Sequence, residues 1–136
     1  LEDPDPRVRR EAVRTLGMLE AAALAPHAAA FVAKFEDPDP LVRWEAVRML
    51  GKLEAAALAQ HEVALVAKLE DSYPTVREAA METLGKLEPA ALAQHAAAVV
   101  ATLEDSNPDV RWAAVRALGD LGAGHAAPHV APCLYR

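Results

Sequence analysis

Residues 3–19 read DPDPRVRREAVRTLGML, and the pattern returns as DPDPLVRWEAVRMLGKL at 37–53, DSYPTVREAAMETLGKL at 71–87 and DSNPDVRWAAVRALGDL at 105–121. The tetrads LEDP, FEDP, LEDS and LEDS open at 1, 35, 69 and 103, so the 136 residues divide into four units of 34: 1–34, 35–68, 69–102 and 103–136. Glu2, Asp3, Pro6, Val8, Arg9, Ala12, Leu16, Gly17, Leu19, Ala25 and His27 recur at the same place in every unit. A period of this length predicts a solenoid, in which each unit buries its apolar face only against its neighbours. Function is then expected on a repeated surface.

Each unit predicts two helices. Asp5-Pro6, Asp39-Pro40 and Asn107-Pro108 place an Asp or Asn N-cap before a Pro whose missing N–H costs nothing at the first helical position. Gly17, Gly51, Gly85 and Gly119 read as the stops, and Val8, Ala12, Leu16 and Leu19 as the buried stripe. In the third unit Tyr73 takes the cap position, so that helix is expected to start from Ser72 or to fray. Pro89 suits a short helical turn at 89–92, and the main second helix is expected from about 94 to 103, with His95, Val99 and Leu103 on one face and Val100 widening it. Gly122, Gly124 and Pro132 replace helix-favouring residues in the last, atypical unit.

Composition agrees with helices. Thirty-two Ala, 17 Leu and no Ile, with only 4% aromatic residues, disfavour an all-β or Rossmann-like protein. The net charge of −6 disfavours a general nucleic-acid binder and polybasic attachment to a membrane. No apolar run approaches the roughly 20 residues of a membrane-spanning helix, and no signal segment opens the chain. A single Cys, Cys133, excludes an internal disulfide and suits a reducing compartment such as the cytoplasm. An opening Leu in place of Met reads as an excerpt or a processed product.

From Asp3 to Leu19 the pattern D-P-D-P-x-V-R-x-x-A-V-x-x-L-G-x-L resembles a HEAT repeat, and the resemblance covers all four units. It is most similar to the short HEAT-like class also found in phycobilisome lyases, with extra length in the Ala-rich turn between helices. The resemblance implies an all-α, right-handed α-solenoid of four tandem helix pairs. It also implies that Asp3, Asp37, Asp71 and Asp105 link to Arg9, Arg43, Arg77 and Arg111 as a structural ladder between adjacent turns. A row of anion-binding Arg is the rival reading, disfavoured because no excess of basic residues surrounds them.

No catalytic constellation emerges. Ser72 and Ser106 both lie in the turn between units, close to Pro74 and Pro108, with no G-x-S-x-G and no Gly-rich phosphate loop. One His per unit, at His27, His61, His95 and His129, cannot converge on one metal when neighbouring helices pack about 8–10 Å apart; these His are expected to hydrogen-bond the preceding turn. His125, His129 and Cys133 at i, i+4, i+8 form the one metal-like grouping, a weak candidate interrupted by Pro128 and Pro132. His61-Glu62 resembles the His-Glu pairs of HEAT-like metal hydroxylases, but it stands alone and on the other helix. No cofactor is expected.

What varies between units points to partner binding. Arg10, Trp44, Glu78 and Trp112 lie two residues from the buried Val, about 200° round the helix, where solvent is expected. Trp44 and Trp112 are either binding anchors or covers for a neighbouring unit, with Leu41, Met49 and Tyr73 enlarging the patch. The second helices are expected to turn Ala29, Ala30, Ala33 and Lys34 outward in the first unit, Val63, Ala64, Ala67 and Lys68 in the second, and Ala97, Ala98, Ala101 and Thr102 in the third. In HEAT solenoids these helices line the concave side, so the resemblance implies a smooth groove for a partner helix. The units carry 0, −2, −3 and −1 charges in order, favouring a neutral-to-basic partner. The leading expectation is a non-enzymatic protein-binding scaffold. An assembly subunit or spacer that self-associates through its solenoid ends is second, and a HEAT-like lyase or metal-dependent enzyme is last.

Overall fold

A computed structural model of the protein describes residues 1–125, with side chains through residue 120. Three units share one plan. A long first helix, α1 (Pro6–Leu16), is followed by a short α2 (Ala21–Leu24) and a second helix α3 (Ala28–Ala33); α4 (Pro40–Leu50), α5 (Ala55–Leu58) and α6 (Glu62–Ala67) repeat it, as do α7 (Pro74–Leu84), α8 (Pro89–Ala93) and α9 (Ala96–Thr102). The fourth unit contributes α10 (Pro108–His125), and the described residues contain no strand. Long helices pack side by side along the array, α1 on α4, α4 on α7 and α7 on α10, while α3, α6 and α9 pack on the long helix of the following unit. The result is an α-solenoid whose core lies between two rows of helices.

Local chemistry explains the starts. Asp5 accepts a hydrogen bond from the Arg7 amide at 2.8 Å, Asp39 from Leu41 at 2.8 Å and Asn107 from Asp109 at 2.8 Å, each cap contributing about 1 kcal/mol. Tyr73 makes no such bond, yet α7 still begins at Pro74 without fraying. Pro74 fixes φ at the first helical position, and the Tyr73 amide is itself held by Asp71 Oδ1 at 3.0 Å. The reversal after each long helix is pinned by Leu24, Leu58 and Leu92, all buried, each burial stabilising by about 2 kcal/mol. The corresponding residue of the fourth unit is Ala126.

Three expectations are corrected. The stripe Val8, Ala12, Leu16 and Leu19 is not buried in the first unit: Val8 is 47% exposed, whereas Val42, Val76 and Val110 are 0% exposed. Sequence periodicity specifies the face, but only a preceding helix buries it. Gly119 is no stop, since α10 runs past it to His125. Nor do the other glycines serve by left-handed backbone: Gly17 ends α1 at φ −67°. Its role is steric, because a Cβ there would lie 2.9 Å from the Met49 Cβ. Finally, Val100 is exposed rather than part of the buried face of α9.

Candidate interaction surfaces

The ladder is built twice over from each Asp. Asp37 Oδ1 accepts the Asp39 amide at 2.9 Å, closing its own turn, and the carboxylate also takes a two-pronged grip from Arg9 of the preceding unit, Nε at 2.8 Å and Nη2 at 3.0 Å. Arg43 grips Asp71 at 3.0 and 3.1 Å, and Arg77 grips Asp105 at 2.8 and 3.0 Å. The remaining nitrogen of each guanidinium returns to its own turn, Arg43 Nη1 to the Asp37 carbonyl at 2.8 Å and Arg77 Nη1 to that of Asp71 at 2.8 Å. Burial alone would raise the pKa of these carboxyls. The guanidinium and amide donors outweigh it and hold Asp37, Asp71 and Asp105 below the ordinary aspartate range. The Arg that sequence reading could have assigned to anion binding are thus already occupied by carboxylates at these three junctions.

A second set of charges was not legible in the repeat pattern. Lys34 reaches Glu2 at 2.9 Å and Lys68 reaches Glu36 at 3.3 Å. Lys34, Lys68 and Thr102, expected to face outward, are all buried: the two lysines fold back toward the turn that opens their own unit, and the Thr102 hydroxyl donates to the Ala98 carbonyl of its own helix at 2.8 Å. Glu45 is wholly buried, with Arg14 Nε at 3.2 Å, Arg48 at 3.7 Å and Arg10 at 3.9 Å. Nothing in the pattern signals this, since the matching residues in later units are Ala79 and Ala113.

The Trp column divides. Trp44 is half-buried and packs on the core, with the Arg10 and Arg48 guanidinia 5.5 and 5.1 Å from its ring, so it covers the junction between the first two units. Trp112 is 63% exposed. Leu41 and Tyr73 are also exposed, the latter with Arg43 over its ring at 5.7 Å. Met49, expected beside them, is buried against Gly17: five residues on is about 140° round the helix from Trp44, toward the junction. In the third unit the column holds Glu78, whose carboxyl is pushed up by burial and by the charges of Glu82 and Asp109. A carboxyl raised in the folded state destabilises at neutral pH, and acidification through the raised value relieves it. Glu78→Gln should therefore raise stability by about 0.5 kcal/mol, seen as a higher denaturation midpoint at pH 7 that converges with the parent toward pH 4.

On the second-helix side, Val63 is 74% exposed, and Ala29, Ala33, Ala67, Ala97 and Ala101 are exposed with it; Ala30, Ala64 and Ala98 are half-buried. Beneath them Phe31, Leu65 and Val99 are buried and hold the helices down. Between α6 and α9 lies a depression lined by Val66, Ala67, Leu69, Ala98, Ala101 and Thr102, with Glu70 and Asp105 also at its wall. Among the described residues, the His27, His61 and His95 side chains do not bond the preceding turn as expected. His95 Nε2 is buried without a hydrogen-bond partner and lies 3.4 Å from Glu62, while His27 is exposed. Among the described residues no three His, Cys, Asp or Glu side chains gather as a metal-holding group; the side chains of His125, His129 and Cys133 lie outside them. No described helix is long and apolar enough to cross a membrane.

The helical pairs, their 34-residue spacing and the Asp–Arg ladder together define an α-helical repeat protein. The chain belongs to the HEAT repeats family, which matches it twice, over residues 1–63 and 62–136. No curated protein matches it. Among solved structures it is similar to an engineered protein, with a TM-score of 0.76 and 22% identity over 91% of this chain; it spans 60% of that protein's length. It is also similar to the complex of CpcE and CpcF of the phycocyanin lyase from Nostoc sp. PCC7120, with a TM-score of 0.58 and 20% identity over 88% of this chain and 81% of that one. At these identities the likeness is one of fold.

Proposed function

We propose that the protein is a non-enzymatic scaffold that binds another protein along its second-helix face. One observation carries the reading: the Ala- and Val-rich surface around the α6–α9 depression is apolar and accessible, although its helices are already anchored by buried residues on their other side. An idle solvent face would carry Lys, Gln and Glu. Small side chains let a partner helix approach closely, and Glu70 at the wall favours a neutral-to-basic helix. Trp112, with its large exposed ring, is the anchor expected for a contact on the other face. That the Nostoc neighbour is itself a complex of two chains supports partner binding as a use of this fold.

A display selection with helical peptides tests the assignment. Selected peptides should be amphipathic and enriched in Lys and Arg, and Ala101→Arg or Val63→Arg should weaken them by about tenfold or more without changing helix content. Peptides that lack basic residues, or that bind both variants as well as the parent, would sink it.

A further inference from the structure

The second helix is followed by a lysine in the first two units and not in the third. The Lys34 ammonium reaches Glu2 at 2.9 Å, and the Lys68 ammonium lies 3.3 Å from Glu36 and 3.5 Å from Asp71. Both lysines are buried, so each lays its alkyl stem in the seam and puts its charge on the glutamate that opens its own unit. The third unit keeps that glutamate, Glu70, but has Thr102 in place of the lysine. Threonine is too short to reach the carboxylate, and its hydroxyl turns back to the Ala98 carbonyl at 2.8 Å. Two consequences meet at one spot. Among the described residues the exposed Glu70 enters no ion pair, and the seam that Lys68 fills at the preceding junction is open here as the α6–α9 depression, with Val66, Ala98, Thr102 and Glu70 in its lining. Asp105, the counterpart of Asp71, lines it as well. Asp71 takes Lys68 while gripped by Arg43, so the grip of Arg77 does not close Asp105 to a second cation.

We infer that the partner assigned to the second-helix face inserts one lysine side chain into this opening, its stem along Val66 and Ala98 and its ammonium on Glu70. The inference rests on that assignment and makes it specific. The molecule supplies its own template: at two equivalent positions the glutamate is met by a single alkyl chain ending in a compact ammonium. A planar guanidinium on a longer stem does not reproduce that shape. The third unit also carries the largest net charge of the four, −3, which steers a cation to this seam rather than to its neighbours.

Two measurements test it, the first without any partner. Thr102→Lys should restore the missing contact and lower the unfolding equilibrium constant by about twofold to fivefold, and the gain should disappear when Glu70→Gln is added. No gain, or a gain indifferent to Glu70, overturns the inference. Helical peptides selected on the parent chain are the second probe. They should share one invariant lysine. Changing it to norleucine, which keeps the stem and removes the charge, should weaken binding about tenfold or more, as should Glu70→Gln or Thr102→Lys in the protein. Glu36→Gln, where Lys68 already fills the seam, should leave binding unchanged. Peptides that are lost with Val63→Arg, yet carry no invariant lysine and bind Glu70→Gln as well as the parent, overturn the lysine site while leaving the second-helix surface in place. Peptides indifferent to both Val63→Arg and Glu70→Gln overturn the two together.

Discussion

Arg77→Ala should lower the free energy of unfolding by about 2 kcal/mol, measured by chemical denaturation, because the half-buried Asp105 carboxylate loses both charge-assisted hydrogen bonds of that grip. It also removes the bond from Arg77 Nη1 to the Asp71 carbonyl, 2.8 Å in the parent. Arg43→Ala should cost less. Its partner Asp71 keeps a second cation, Lys68 Nζ at 3.5 Å, which offsets part of the lost charge. A loss under about 1 kcal/mol for Arg77→Ala, the size of an exposed pair, would show the ladder to be superficial. The pH dependence follows from the same bonds. A carboxyl whose pKa is lower in the folded state stabilises fully above its unfolded value, near about 3.9 for Asp, and the gain disappears as pH falls through the lower folded value. The parent should therefore weaken steeply below about pH 4, and Arg77→Ala should show a shallower acid loss because one of the three ladder carboxyls has lost its main donor.

Gly17→Ala should destabilise by about 2 kcal/mol through overpacking, whereas Gly119→Ala should be neutral or stabilise by about 0.5–1 kcal/mol through helix propensity. The two glycines occupy the same repeat position. The difference is a neighbour: a Cβ on Gly17 meets the Met49 side chain from its Cβ onward, so rotating the far end of the methionine does not relieve it, while Gly119 has nothing within 4 Å among the described residues. In a Met49→Ala background, which carries the residue found at the matching Ala117, Gly17→Ala should cost little, because the clashing side chain is gone. Equal effects of the two glycine substitutions in thermal melts, or a Gly17→Ala cost unchanged by the Met49→Ala background, would remove the steric account.

Much of the fold was legible because it is local chemistry repeated four times. Asp-Pro and Asn-Pro starts, the Val-Ala-Leu stripe, and Pro89 at the start of α8 each act within a few residues, and the structure places helices there. The last unit resisted. Its long helix continues past Gly119, and a glycine inside a helix merely weakens it, whereas the Leu that would pin a reversal is replaced by Ala126. Of the candidate surface, the small-residue character of the second helices was visible from the residues themselves. Which of them face solvent was not: Lys68 turned inward to Glu36, Met49 went under Gly17, and Trp44 was covered by two arginines.

The sequence alone determined the repeat, the family resemblance and most of the first-helix starts, because caps, prolines and apolar periodicity act over one or two helical turns; the ladder came only through that resemblance. Tertiary structure decided which copy of each residue is buried. Val8 and Val42 share one place in the pattern, yet one is 47% exposed and the other 0%, since burial in a solenoid comes from neighbouring units, and no residue carries that information by itself. The same physics separates Gly17 from Gly119 and Arg9 from Arg111: identical positions, different neighbours.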